Sequence, residues 1–184
     1  MHRWILVALA GSVICTVLDH LHATHGVLTY AHVAFWDQAW WVPLLFFSAT
    51  LSCLFGARMI RGFFRAPPIA PNPPARIALD GTAFVGAYAM TSFTHAAPTT
   101  TLLVLVAFWV ARILRGPEPW IVVLSLATAV AGPLVEATVS ATGAFTYEHP
   151  DFMGVTRWLP AIYLFVGPIS ARLEAVCSGS VDKP

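Results

Sequence analysis

Two carboxylic acids lie inside long apolar stretches of this chain, and Glu136 is the more deeply placed of them. It falls within the apolar residues 120–142. A charged side chain at the centre of a bilayer costs about 2.5–3.5 kcal/mol on insertion scales, so it should face protein, water or a ligand. Three roles fit Glu136: a hydrogen bond to a serine or threonine of another helix, a polar contact in a lipid pocket, or a catalytic acid.

The second acid, Asp80, lies close to the start of another apolar stretch, four residues after Arg76. That spacing places the two side chains on one face of a helix, where they can form an ion pair. We therefore expect a salt bridge between Arg76 and Asp80 at the membrane interface.

Three histidines follow the first apolar stretch in close succession. If the first helix continues outward, Asp19, His22 and His25 share one of its faces, and such a face could ligate a metal. Neither an HExxH motif nor an array of paired HxxxH boxes is present. Solvated or interfacial histidines are the competing interpretation of His20, His22 and His25. We assign no metal or other cofactor from the sequence.

The composition indicates that these groups are carried by a membrane-embedded helical bundle. Hydrophobic residues make up 58% of the chain and charged residues 10%, against roughly 25% charged in a soluble domain. The apolar residues fall in blocks long enough to cross a bilayer. We predict an all-α fold with a single domain, residues 1–184, and no internal repeat. The six predicted spans are about 4–19, 40–60, 77–95, 98–114, 120–142 and 158–174.

The distribution of cations predicts the topology. Arg3, the arginines between spans two and three and between spans four and five, and Lys183 all lie on one side, and only Arg157 lies in an opposite-side loop. By the positive-inside rule, the N and C termini face the cytoplasm. The outer loop 20–39 carries Trp and Tyr and should lie along the interface, whereas the proline-rich loop 61–76 should be extended. No basic cluster with interleaved aromatic residues points to nucleic acid.

The loop before the last span carries a family resemblance. Its sequence resembles the corresponding loop of the Insig family, sterol-responsive membrane proteins of the animal endoplasmic reticulum. The residues that match the family pattern in register are Gly143, Tyr147, Pro150, Asp151, Phe152, Val155, Trp158, Leu159, Pro160 and Ile162. The run from Ala39 to Pro43 and the run from Phe84 to Gly86 also match family motifs.

The resemblance implies a lipid-binding membrane protein rather than an enzyme. It places Trp41, Phe84 and Tyr88 beside a central cavity, with Glu136 as a polar contact, for a neutral ligand that is sterol-like or diacylglycerol-like. Carrying the register forward aligns Thr101 with a family Gln near the sterol site. It also aligns Glu118 with a cytoplasmic Asp that animal members use to engage partner proteins. The arginine-rich, lysine-poor composition favours a bacterial cell membrane, where the protein partner is unknown.

Small residues four apart in span three, Thr82 with Gly86 and Ala83 with Ala87, permit close helix contacts. We expect homo-oligomerisation through spans three and four, although the same residues could serve packing inside the bundle.

The alternative function is an integral-membrane enzyme of terpenoid or carotenoid type that uses Glu136 as an intramembrane acid. A small transporter is a weaker alternative, because the sequence shows no inverted repeat.

Overall fold

The computed structural model describes residues 2–67, 73–116 and 118–179. Within these residues the chain forms six helices and two short strands. They are α1 (His2–Thr24), β1 (Leu28–Tyr30), α2 (Val42–Phe63), α3 (Pro73–Thr94), α4 (Pro98–Leu114), α5 (Pro119–Ala141), β2 (Phe145–Tyr147) and α6 (Leu159–Cys177). The six predicted spans coincide with the six helices, so the all-α polytopic fold is confirmed.

Four of the described helices, α1, α2, α5 and α6, are long and apolar enough to cross a membrane. The helix α4 is also apolar but has 17 residues, and α3 has 22 residues that include Asp80. The chain is therefore a multi-pass membrane protein. The central part of the proline-rich loop predicted at 61–76 lies outside the described residues, while its two ends belong to α2 and α3.

Proline marks the beginning of several helices. Pro43, Pro98, Pro119 and Pro160 each occupy the first or second position of α2, α4, α5 and α6. A proline in the first helical turn loses no hydrogen bond, because the first N–H groups have no partner within the helix. These residues therefore set the points at which the chain enters the bundle.

The last helix, α6, is the centre of the bundle. It packs against α1, α2, α3, α4 and α5, and most of its length is buried inside the protein. Close packing against α5 requires glycine at position 167, since a Cβ atom there would lie 2.7 Å from the backbone nitrogen of Ser125. The buried face of this central helix carries two charged side chains, Arg172 and Glu174.

A two-stranded antiparallel sheet joins the loops at one end of the bundle. Thr29 pairs with Thr146, and the flanking pairs are Leu28 with Tyr147 and Tyr30 with Phe145. The opposite end holds both described ends of the chain, because Arg3 contacts the carbonyl of Val176. We call these two ends of the molecule the sheet end and the termini end.

The structure shows an internal repeat that the sequence analysis missed. The segment α1–β1–α2 matches α5–β2–α6 without a gap. The identical pairs in the loops and helix starts are Gly26 and Gly143, Thr29 and Thr146, Tyr30 and Tyr147, His32 and His149, Phe35 and Phe152, Trp41 and Trp158, and Pro43 and Pro160, and three more lie in α1 and α5: Leu9 and Leu126, Ala10 and Ala127, and Val13 and Val130. The prediction of no internal repeat is therefore wrong.

The backbone repeats along with the sequence. Each loop after the strand closes with an isolated bridge, Phe35 to Gln38 in one copy and Phe152 to Val155 in the other. The two residues inside each bridge have positive φ, and the tryptophan before each second helix has φ −83° and ψ −11°. Because Thr29 pairs with its own counterpart Thr146, an approximate two-fold axis passes between them.

We expect Gly167→Ala to lower the thermal unfolding midpoint in detergent, because the added methyl group meets the α5 backbone. Overpacking of this kind typically costs about 1–3 kcal/mol. Gly56→Ala is the matched control, since nothing lies within 4 Å of a Cβ at that helical position. Equal midpoints for the two variants would contradict the close α5–α6 contact.

Candidate functional site

Glu136 is held by two tyrosines from different elements. The hydroxyl of Tyr163 on α6 donates to Glu136 Oε1 at 2.6 Å, and the hydroxyl of Tyr147 on β2 donates to Oε2. A Cβ on Gly132 would overlap the Tyr163 ring, so this glycine lets the ring lie across α5. The expected serine or threonine partner is therefore wrong, because the donors are phenols. Burial raises the pKa of Tyr147 well above its ordinary value, which keeps this phenol protonated as a donor.

Asp19 is the counterpart of Glu136 in the first copy of the repeat. The hydroxyl of Tyr30, which corresponds to Tyr147, donates to Asp19 Oδ2 at 2.6 Å. The amide of Gln38 donates to the same oxygen at 2.6 Å. Sequence reasoning identified Asp19 only as a possible metal ligand. The spacing from acid to tyrosine, which is the same in both copies, was the signal that could have found this pair.

An aromatic cluster connects the two acid–tyrosine pairs. The His22 ring stacks on Tyr88 with centroids 4.3 Å apart, and Phe84 contacts Tyr88 edge-on at 6.0 Å. The ring of Phe145 links the two pairs, because its centroid lies 5.8 Å from that of Tyr30 and 5.7 Å from that of Tyr147. Trp41 joins through Tyr30, with ring centroids 5.7 Å apart.

We call this set the acid–tyrosine site; it consists of Asp19, Tyr30, Trp41, Phe84, Tyr88, Glu136, Tyr147 and Tyr163. Of the residues predicted to contact lipid, it brings together Trp41, Phe84, Tyr88 and Glu136. Phe84, Tyr88, Trp41 and Glu136 are all half-buried rather than buried, so part of each surface remains open to a ligand or to the bilayer.

Thr101 lies elsewhere, in the first turn of α4, within the hairpin that α3 and α4 form. It is buried, and its hydroxyl donates to the carbonyl of Thr94 at 2.8 Å. It forms part of the wall of a groove of about 280 Å³ together with Met90, Phe93, Ala97 and Val104. The structure thus places Thr101 beside a second apolar recess, apart from the hydrogen bonds of the acid–tyrosine site.

The three histidines point in different directions. Nε2 of the buried His22 lies 2.8 Å from Thr91 Oγ1, Nδ1 of His20 lies 2.8 Å from the carbonyl of Trp36, and Nδ1 of His25 lies 2.8 Å from the carbonyl of Leu21. Because α1 extends to Thr24, His20 and His22 belong to a helix rather than to the predicted outer loop. Within residues 2–67, 73–116 and 118–179, no three His, Cys, Asp or Glu side chains gather as metal ligands.

A network of ion pairs ties the helices together at the termini end. Arg112 Nε donates to Asp80 Oδ1 at 2.7 Å, and Arg172 Nε contacts Asp80 Oδ2 at 3.4 Å. Arg172 also contacts Glu118 at 2.9 Å. The expected pair of Arg76 with Asp80 is wrong, because α4 and α6 supply the cations instead. Glu118, predicted as a partner-binding residue, is half-buried and paired with Arg172 in this structure.

One exposed ion pair, Arg157 with Asp151, lies in the loop of the second copy. The Arg157 guanidinium holds the pKa of Asp151 below its usual range, mainly by hydrogen bonding, and Arg157 also reaches Thr99 at the beginning of α4 at 3.0 Å. Exposed pairs contribute little to stability because water screens them. We therefore assign this pair the role of positioning the loop.

The fold matches that of a solved bacterial membrane protein. Two crystal structures of MvINS, an Insig homologue from Mycobacterium vanbaalenii, superpose with a TM-score of 0.86. The match covers 100% of this chain and 97% of MvINS, at 23% sequence identity, and one of the two structures is a cross-linked trimer. No protein-family model matches the sequence, and no curated protein sequence matches it. The similarity to Insig is thus confirmed at the level of the fold.

We expect Asp80→Asn to destabilise the protein strongly, because it leaves the buried Arg172 and the nearby Arg112 without their shared carboxylate. Removing one partner of a buried ion pair typically costs about 3–5 kcal/mol. The control is Asp151→Asn, which breaks an exposed pair and should leave the unfolding midpoint nearly unchanged. Thermal unfolding in detergent measures both, and a small effect of Asp80→Asn would show that the ion-pair network is dispensable.

Proposed function

We propose that this chain, which has the Insig fold, is a lipid-binding protein of the bacterial cell membrane and not an enzyme. Its ligand is a neutral lipid, sterol-like or diacylglycerol-like, held against the acid–tyrosine site. The observation that carries this proposal is the half-buried Glu136 carboxylate, fixed by two phenols beside aromatic rings inside the bundle. An intramembrane acid built into such a site is expected to serve a ligand or a functional contact.

The charges in the bundle favour an uncharged headgroup. Asp19 and Glu136 supply acceptors at the site, while Arg61, Arg112 and Arg172 contact acids at the termini end. No arginine or lysine belongs to the acid–tyrosine site, so a phosphate there would meet the Glu136 carboxylate without a cationic side chain to pair with it, and burying like charges together is unfavourable. A hydroxyl group can instead donate to a carboxylate, and apolar ligand atoms can pack on Phe84, Tyr88 and Trp41.

Regulation would follow from a change in helix packing. A lipid that binds one arrangement of the bundle more tightly shifts the population toward it. The helix α6 carries Tyr163 at the acid–tyrosine site and Arg172 in the ion-pair network, so it connects the ligand to Glu118. We propose Glu118 as the contact for a still unidentified membrane partner, which would have to compete with Arg172 for its carboxylate.

The contribution of Thr101 is also a proposal. Its groove between α3 and α4 is lined mainly by apolar side chains, which suits an acyl chain or the flat face of a ring system. A lipid could therefore use the acid–tyrosine site for its polar group, with Thr101 touching an apolar part.

Purification in mild detergent followed by lipid mass spectrometry tests the lipid proposal. We expect a stoichiometric neutral lipid that is lost in Phe84→Ala and in Glu136→Ala, because these variants remove an apolar wall and the polar contact. Phe63→Ala is the control, since that ring is 84% exposed at the far end of α2. Bulk phospholipid alone, in proportion to detergent, would contradict the proposal.

The same variants separate binding from catalysis. Glu136→Gln keeps the shape of the side chain and one acceptor oxygen, so a binding protein should retain lipid of altered composition. An enzyme that uses Glu136 as an acid should instead retain its substrate and lose turnover.

We further propose that the chain forms homo-oligomers through α3 and α4. Ala83 and Ala87 are buried in the bundle, whereas Thr82 and Gly86 lie on an exposed face. A Cβ at Gly86 meets nothing within 4 Å, so this face is open to the helix of another copy. Small residues four apart allow helices in a membrane to approach closely, and the cross-linked trimer of MvINS supports homo-oligomerisation as such.

We expect Gly86→Leu to reduce the oligomer mass measured by native mass spectrometry, because the larger side chain separates the facing helices. Gly56→Leu is the matched control on α2, where a Cβ also meets nothing within 4 Å. An unchanged mass for Gly86→Leu, or an equal loss with Gly56→Leu, would exclude the α3 face as the interface.

A further inference from the structure

The two copies of the repeat satisfy their acids differently. In the second copy each oxygen of Glu136 accepts one phenol hydrogen, so both oxygens have a donor. In the first copy both donors, Tyr30 and Gln38, reach the same oxygen of Asp19, Oδ2. Among the residues that the structure describes, no hydrogen-bond donor reaches Asp19 Oδ1. Asp19 is only 4% exposed. The asymmetry therefore leaves its Oδ1 oxygen available to a partner other than a donor of the protein.

Two further acceptors beside Asp19 also lack donors among the described residues. The side-chain oxygen of Gln38 and the hydroxyl oxygen of Thr16 are buried and form no hydrogen bond. Gln38 is 0% exposed and Thr16 is 5% exposed. Buried polar atoms are almost always paired in native proteins, so unpaired ones need an explanation. Thr16 Oγ1 and Gln38 Oε1 are two of the ten such atoms among the described residues, and both belong to residues next to one buried acid.

The connections between these residues place the oxygens near one another. Thr16 precedes Asp19 by three positions on α1, which puts the two side chains on the same helix face. The Gln38 amide nitrogen bonds both the Thr16 carbonyl at 3.0 Å and Asp19 Oδ2 at 2.6 Å. The carboxamide of Gln38 therefore lies between the backbone of Thr16 and the carboxylate of Asp19.

We infer that Asp19, Gln38 and Thr16 form a binding site for a monovalent metal cation, namely Na⁺. Hard cations prefer oxygen ligands from carboxylates, amides and hydroxyls. One buried carboxylate balances one positive charge, which favours a monovalent over a divalent ion because a surplus charge is costly away from water. The second copy has Val155 and Pro133 at the positions of Gln38 and Thr16, so it offers no such set of oxygens.

The location suits an ion that enters from the sheet end. Asp19 lies five residues before the end of α1 at Thr24, which corresponds to about 7.5 Å along the helix axis. Gln38 comes from the loop of the first copy, directly after its bridge with Phe35. A bound cation would therefore connect α1 to this loop and stabilise the sheet end of the folded protein.

Thermal unfolding in detergent tests the site, with NaCl replacing choline chloride at constant total chloride. We expect the thermal unfolding midpoint of the wild type to rise with the Na⁺ concentration and then to level off, because an ion that binds only the folded state stabilises that state. Asp19→Asn, which keeps the shape of the side chain, should abolish the dependence on Na⁺. Asp151→Asn is the control, because this exposed acid lies in the loop of the second copy and outside the acid–tyrosine site, and it should keep the dependence.

Thr16→Val provides a second variant that keeps the acid and tests one oxygen. We expect its half-saturating Na⁺ concentration to rise by about tenfold, the lower end of the effect typical for losing a group that supports a metal site. Equilibrium dialysis with radioactive Na⁺ measures the same affinity without unfolding, so it remains informative if Asp19→Asn does not fold. Two outcomes would overturn the inference: equal unfolding midpoints in Na⁺ and choline, or a Na⁺ response that survives in Asp19→Asn. The unpaired oxygens of Asp19, Gln38 and Thr16 would then be assigned to water alone.

Discussion

A carboxylate inside a bilayer-spanning bundle must find its hydrogen-bond donors within the protein, because lipid tails offer none. The packing of this chain follows from that requirement. Asp80 draws α3, α4 and α6 together through Arg112 and Arg172, and Glu136 draws β2 and α6 to α5 through its two tyrosines. Apolar packing specifies less strongly than these polar contacts which helix faces meet, since lipid tails are as apolar as leucine.

The central position of α6 is the result of these polar contacts. This helix supplies a donor to the acid at each end of the bundle, Tyr163 to Glu136 and Arg172 to Asp80. It also approaches α5 at Gly167 more closely than any larger residue would allow. The same helix therefore carries a donor to Glu136, an arginine of the ion-pair network and the close approach to α5, so a movement of α6 changes all three contacts.

The sequence predicted the spans well, because long apolar blocks must cross or be buried in a membrane. It also placed Trp41, Phe84, Tyr88 and Glu136 in one region, through a resemblance that local motifs carried. The partners of Asp80 were missed because Arg112 and Arg172 are distant in the chain, whereas Arg76 is near. The repeat was missed because its matches are scattered over loops and separated by the α3–α4 hairpin. Thr101 was assigned through a register carried over a long stretch, and the structure places it in a different recess.

The pairing of Thr29 with Thr146 holds the two copies of the repeat together at the sheet, so the sheet is the point about which one copy can rotate against the other. Any rotation of one copy against the other that preserves this pairing moves the termini end most. The 19 residues of α6 span about 28 Å, so a tilt of about 5° displaces the far end by roughly 2–3 Å. That displacement is large enough to separate Arg61 on α2 from Glu174 on α6, which belong to different copies and are 3.0 Å apart. A small rotation at the sheet end is thus enough to make or break an ion pair at the termini end.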